Sequence, residues 1–176
     1  MTITCPTVHS LLAPILHANP DVIGIDGLDG CRKSDLACRI AGHIHYQVIN
    51  LDDFLDKNKG SYVDHIDVDG VRDAIRGKRS IIEGVCLLHV IELASLKLDF
   101  SIYVQRRRLG LWADEDWLGL DQDVDEYLEK LNVTSLLISG DNESDSDINL
   151  SEEIIRYHHT FHPHESADMT FVWNDS

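Results

Sequence analysis

The stretch Val22–Ile44, VIGIDGLDGCRKSDLACRIAGHI, constrains the fold more than any other part of the chain. A short β-branched run ends at Gly27, a glycine-bearing turn follows, and Lys33-Ser34 opens a segment with Leu36, Ala37, Ile40, Ala41 and Ile44 at helical spacing. Strand, turn and helix in that order form the frame of the G-x-x-x-x-G-K-[ST] loop. Its backbone N–H groups cradle phosphates, its lysine neutralises β/γ charge and its hydroxyl reaches Mg²⁺. Gly27, Lys33 and Ser34 match that pattern and Gly30 lies inside the turn, but Arg32 stands where the last glycine belongs.

The chain has 176 residues, enough for one domain with a sizeable core and too few for a second full one. With 15 Lys+Arg against 31 Asp+Glu, its net charge of −16 repels nucleic-acid backbones and anionic lipid. An anionic ligand therefore needs a local cationic pocket, and neither nucleic acid nor membrane is an expected partner. No charged n-region precedes an apolar core, and no apolar run approaches a membrane span, so the expectation is a soluble, cytoplasmic protein. The cysteines lack metal-ligand spacing; Cys38 and Cys86 read as buried thiols, and Cys31, inside the phosphate loop, as a candidate redox-sensitive one. The oligomeric state is not legible.

Thr7–Ala18 carries an apolar stripe at helical spacing, stopped by Asn19-Pro20. Asp21–Asp26 reads as a buried parallel strand. A second strand, Tyr46–Leu51, ends in Asp52-Asp53-Phe54, so those carboxylates fall at a strand's carboxyl end, where open α/β sheets bind ligands. Val68–Arg76 reads as a short helix, Ser80–Leu88 as a strand carrying Glu83, His89–Leu98 as a helix and Phe100–Gln105 as a strand running into Arg106-Arg107-Arg108. Beyond Leu109 the spacing predicts a helix over about Asp121–Leu131, an acidic loop over Ser139–Asp147, a helix from Ser151 through His159 and a last strand over Met169–Trp173. Strands alternating with helices imply a parallel α/β sheet with right-handed crossovers.

Five segments, in order, carry a family likeness: GIDGLDGCRKS; Asp52-Asp53-Phe54; Tyr62-Val63-Asp64-His65-Ile66-Asp67-Val68-Asp69; IIEGVCLL; and Arg156-Tyr157-His158 through Pro163, Ala167 and Asp168. Together they resemble the uridine kinase branch of the P-loop kinases, a group that includes phosphoribulokinase and bacterial pantothenate kinase. The resemblance implies a P-loop NTPase fold over residues 1–176: a parallel five-stranded sheet flanked by helices, with an acidic lid-region insertion at 109–150. It also implies an ATP-dependent transfer of the γ-phosphate to a hydroxyl of a nucleoside or similar small metabolite, with ATP and Mg²⁺ as cofactors.

In such a site positioning and charge neutralisation do most of the work. By resemblance Gly27, Gly30, Arg32, Lys33 and Ser34 hold the nucleotide, Asp52 orients or deprotonates the acceptor, and Ser34 and Glu83 serve Mg²⁺. Tyr62, Asp64, His65 and Arg156 face the acceptor, and Lys33 and Arg106 meet the transferring phosphate.

Other readings stand beside these. Asp52-Asp53 is also compatible with a solvated strand end, and Asp64, Asp67 and Asp69 with capping of the next helix. Arg106–Arg108 suits salt bridges to the acidic insertion as well as phosphate. Trp112 and Trp117 suit packing, and the histidines His158, His159, His162 and His164 lack a supporting carboxylate pattern for a metal. Only Glu83 has no cheap structural excuse in its apolar run. Arg32 and Asp35 weaken nucleotide affinity by expectation, unless the Arg32 guanidinium turns onto a phosphate oxygen. A non-catalytic protein binding an anion or a protein partner is the alternative, and a sugar acid or pantothenate is an alternative acceptor.

Overall fold

The computed structural model describes residues 3–56, 62–138 and 145–175. In chain order the elements are β1 (Ile3–Cys5), α1 (Val8–Ala18), β2 (Val22–Gly27), α2 (Lys33–Ile44), β3 (Gln47–Asn50), α3 (Val68–Ile75), β4 (Ser80–Glu83) and α4 (Leu87–Leu93). There follow β5 (Phe100–Arg108), β6 (Leu111–Trp112), α5 (Glu115–Leu118), α6 (Val124–Ile138), α7 (Asp145–Phe161), α8 (Pro163–Ser166) and β7 (Met169–Asp175). Short 3₁₀ turns occupy Leu51–Phe54 and Val63–His65.

The strands lie in the order β1-β7-β5-β2-β4-β3, all parallel, and β6 folds back antiparallel on the end of β5. β2 is central: Ile25 pairs in register with Glu83 on one side and Ile102 on the other. Its run of buried residues reads as continuous rather than alternating because both faces are covered. On one face Leu11 and Ile15 of α1 and Leu36 and Ile40 of α2 pack with Ile23, Ile25, Ile81 and Ile102. On the other, Val71, Val90, Ile155 and Tyr157 from α3, α4 and α7 join Ile49 and Ile82. Each fully buried aliphatic side chain contributes about 1.5–3 kcal/mol, so the central strands are fixed from both sides. The carboxyl ends of β2, β3 and β4 lie together at one edge.

The sheet has seven strands where five were expected. β1 and β6 are three and two residues long, too short for a periodic signal, and are held by pairing with β7 and β5. β5 runs three residues past Gln105, so Arg106, Arg107 and Arg108 belong to a strand and hairpin. β4 ends at Glu83 and α4 starts at Leu87; between them Gly84 sits so close to Leu51 that a Cβ there would lie 2.7 Å from its Cδ1.

α6 begins at Val124 and continues to Ile138, longer than the periodic residues suggested. α7 starts at Asp145 rather than Ser151; of the expected acidic loop, 139–144 lie outside the described residues and 145–147 open this helix. Cys38 is exposed rather than buried. Among the described residues no helix is long and apolar enough to cross a membrane.

Candidate active site

The phosphate loop leaves β2 at Gly27, whose φ of +150 and near approach to Val104 demand glycine: a Cβ would lie 2.8 Å from the Val104 carbonyl oxygen. It ends at Arg32, the residue before α2, with φ 64 and ψ 37. The loop therefore keeps the left-handed backbone that glycine would adopt freely, at a cost of roughly 1–2 kcal/mol for a residue with a Cβ. The guanidinium is drawn outward. It lies 3.0 Å from Asp35 and 4.4 Å from the centroid of the Trp173 ring, with Arg39 joining the same carboxylate at 3.1 Å. So Arg32 faces the α2–β7 surface, and the Arg32-to-phosphate reading finds no support in this geometry.

Inside the loop Lys33 is buried, and its Nζ donates to the Leu28 carbonyl at 2.7 Å. The twelve-residue α2 has no side-chain hydrogen bond capping its N-terminus, which leaves backbone donors at the positive end of a helix dipole beside a buried ammonium. Ser34 Oγ donates to Glu83 Oε1 at 2.8 Å, joining the start of α2 to the end of β4. Burial holds the Glu83 carboxyl above its ordinary value, countered by the Ser34 hydrogen bond and the Lys33 charge and reinforced by Asp52 and Asp53.

Asp52 is exposed in the 3₁₀ turn after β3, and Asn50, two residues earlier, is the register partner of Glu83. Asp52 Oδ1 accepts from the Tyr62 hydroxyl at 2.7 Å. That phenol is pushed far up, first by burial and then by the Asp52 hydrogen bond, so it stays a donor. The Tyr62 and Val63 amides donate to the two oxygens of Glu153 on α7, at 2.7 and 2.8 Å. Asp64 is exposed and His65 half-buried in the turn that follows. Asp67 caps α3 by accepting from the Gly70 amide at 2.9 Å.

Gly27, Gly30, Lys33, Ser34, Glu83, Asp52 and Tyr62 thus gather at the carboxyl edge of the sheet. Arg106 borders a cavity of about 530 Å³ shared with Leu28, Asp29, Trp117 and Ile154, and its guanidinium meets Asp114 at 2.6 Å. Arg156 is turned elsewhere, onto Glu152 at 2.8 Å and Asp125 at 2.7 Å. Cys31 is fully buried and its thiol is pushed up to about 11 by that burial, which makes it a poor nucleophile and a poor redox sensor.

Three residues escaped the sequence reading. Asp26 on β2 is buried, accepts from the Gly27 amide at 2.7 Å and from the Tyr157 hydroxyl, and is raised to about 6 chiefly by burial. Tyr157 also accepts from the Leu88 amide at 3.1 Å, tying α7 to β2 and α4. Asp26 sits in an apolar strand just as Glu83 does, so the same signal was present. Glu153 had none, since its partners Tyr62 and Val63 are about ninety positions away, and Asp114 reaches Arg106 only through the β5–β6 hairpin.

No protein-family model and no curated protein matches the chain. Among solved structures it is similar to one described as a possible uridine kinase from Bacillus stearothermophilus, with 17% identity over 93% of this chain and 96% of that one, at a TM-score of 0.53. A shikimate kinase from Bacteroides thetaiotaomicron (14% identity, 88% and 86% coverage, TM-score 0.38) also matches. So does the YorR protein from Bacillus subtilis in complex with phosphorylated GDP (16%, 87% and 85%, TM-score 0.34). The likeness to the possible uridine kinase is one of fold: a parallel α/β sheet flanked by helices over nearly the whole length of both chains.

Proposed function

We propose that the chain is a uridine kinase-like phosphotransferase that moves the γ-phosphate of ATP to a hydroxyl of a nucleoside or similar small metabolite. The observation that carries this reading is the pairing of Ser34 with Glu83 at 2.8 Å beside the buried Lys33, at the uncapped start of α2. Hydroxyl and carboxylate are hard oxygen donors, the set that suits Mg²⁺, and the ammonium with the helix N-terminus suits a polyphosphate, so the residues present fit both groups. Bound there, Mg-ATP supplies the transferable phosphoryl group and charge that must be neutralised.

The chain's own part is positional. Lys33 exchanges the Leu28 carbonyl for phosphate oxygens, while Ser34 and Glu83 take the cation directly or through water. Asp52, steadied by Tyr62, accepts the proton of the acceptor hydroxyl or orients it. Tyr62, Asp64 and His65 form the acceptor side, Arg106 meets the phosphate once released from Asp114, and residues 109–150 act as the lid region of a single domain.

A second reading is favoured by specific contacts. Arg32 and Arg106 are both engaged by carboxylates, and Arg156 by two, so the cations that would clamp a phosphate are occupied. That pattern suits a catalytically impaired protein that binds an anion or a protein partner. An acceptor screen for ADP release, with Asp52→Ala as control, separates the two. The kinase reading expects turnover with one class of hydroxyl acceptor and a loss of ~10²–10⁴-fold in the variant. No ADP release with any acceptor favours the second reading, and a rate unchanged by the substitution removes Asp52 from the mechanism.

A further inference from the structure

The turn between α7 and α8 reads His162-Pro163-His164-Glu165. We propose that His162, His164 and Glu165 form a binding site for a borderline divalent transition-metal ion of the zinc or nickel class. One donor atom from each of the three lies within 4.8 Å of the other two. His162 takes a left-handed backbone, φ 46 and ψ 50, as α7 ends, and Pro163 opens α8 directly behind it. That reversal brings residues two and three positions apart onto one side of a four-residue helix.

The His164 ring is oriented within this cluster. Its Nε2 lies 3.7 Å from Glu165 Oε1, beyond hydrogen-bond reach, and its Nδ1 is buried with no hydrogen-bond partner among the described residues. The carboxylate lies on the Nε2 side of the ring, so Nε2 is the nitrogen that an ion shared with Glu165 would take, and Nδ1 stays on the buried side.

The neighbouring histidines behave otherwise. His158 places its two nitrogens 2.9 Å from the Tyr103 hydroxyl and 2.8 Å from the Ile154 carbonyl, and His159 Nε2 is 3.0 Å from the Leu118 carbonyl. The histidine-rich stretch therefore divides into two residues spent on structure and two available to a ligand. Glu165 supplies the carboxylate that the sequence pattern did not reveal.

Two imidazoles and one carboxylate favour zinc, nickel or copper over magnesium. Bonds of ~2.0–2.1 Å require the three donors to draw together by up to roughly 1.5 Å, within reach of side-chain rotation at the exposed His162 and Glu165. Three protein ligands leave at least one position to water, and the acidic protein draws cations to its surface. The site is separate from the proposed kinase centre, and its test does not use activity.

Zn²⁺ is titrated calorimetrically into the chain carrying no histidine tag, with Mg²⁺ as comparison. Ni²⁺ is titrated while tryptophan fluorescence is followed, because the His164 ring lies 5.4 Å from that of Trp112. Wild type is expected to bind one Zn²⁺ per chain, with affinity reduced more than ~10-fold in His162→Ala and in Glu165→Gln. Both substitutions are at exposed positions, which protects the fold. Ni²⁺ quenching is expected to be largely lost in Trp112→Phe. Absence of saturable Zn²⁺ binding, or an affinity unchanged in both ligand variants, overturns the proposal.

Discussion

Arg32 lies with its guanidinium 4.4 Å from the centroid of the Trp173 ring while its backbone holds the left-handed conformation that a glycine would take without strain. The two halves of the residue thus work against each other: strain in the loop, an attractive contact outside it. Relief of the backbone is worth about 1–2 kcal/mol and the lost cation–π contact about 0.5–1 kcal/mol. Arg32→Gly is therefore expected to leave stability unchanged or raise it by about 1 kcal/mol, measured by urea unfolding. Arg32→Ala loses the contact and keeps the strain, and is expected to be the less stable of the two.

Glu83 is a buried carboxyl that accepts from the Ser34 hydroxyl, and burial holds it above its ordinary value. A protonated carboxyl is a poor ligand for Mg²⁺, so the Mg²⁺ dependence of nucleotide binding is expected to weaken as pH falls, beginning above the range where an ordinary glutamate protonates. Calorimetry of Mg-ATP against pH reads this directly. Glu83→Gln is expected to abolish the pH response together with most of the Mg²⁺ enhancement, whereas Ser34→Ala retains the pH response with weaker binding.

Burial pushes the Asp26 carboxyl up to about 6 from the ordinary carboxylate range, with Tyr157, the Gly27 amide and Lys33 opposing it. The folded state binds this proton more tightly than the unfolded state does. Its contribution is thus fully present below pH ~4 and is lost as pH rises through ~6, a swing on the order of 3 kcal/mol. Asp26→Asn keeps one acceptor oxygen for the Gly27 amide and turns its NH2, a donor, toward the Tyr157 oxygen, and it carries no charge to bury. It is expected to be more stable than wild type at pH 7 to 8, with the gain vanishing near pH 4, when denaturant unfolding is followed across that range.

Glu153 holds the Tyr62 and Val63 amides at 2.7 and 2.8 Å, and Tyr62 in turn holds Asp52. Loss of its charge-assisted hydrogen bonds is worth about 1.5–3 kcal/mol each in favourable cases. Glu153→Ala is expected to raise the acceptor KM more than it lowers kcat, because it frees a segment that shapes the acceptor side while Lys33, Ser34 and Glu83 stay in place. A reduction confined to kcat contradicts that positioning role.

The central strands and the strand-turn-helix frame around Lys33-Ser34 were legible because continuous apolar runs and helical spacing are local signals. β1 and β6 were not, since two or three residues carry no periodicity and owe their extended form to pairing with β7 and β5. The end of β4 was misplaced because the apolar run continues past Glu83 into the start of α4, and the start of α7 because it lies in a polar stretch where capping chemistry alone favoured Ser151. At the site, Lys33, Ser34, Asp52 and Glu83 follow from motif and strand-end position. The role of Arg32 depends on Trp173, 141 positions away in sequence, which no local pattern encodes.

The central claim is that the loop holds Mg-ATP despite Arg32, and calorimetric titration of the wild-type chain with ATP, with and without Mg²⁺, tests it most directly. Saturable binding that requires Mg²⁺ and disappears in Lys33→Ala is expected, with Arg32→Gly binding at least as tightly. No heat from wild type alongside strong binding by Arg32→Gly would contradict the claim and leave a loop with the frame of a kinase but without its nucleotide.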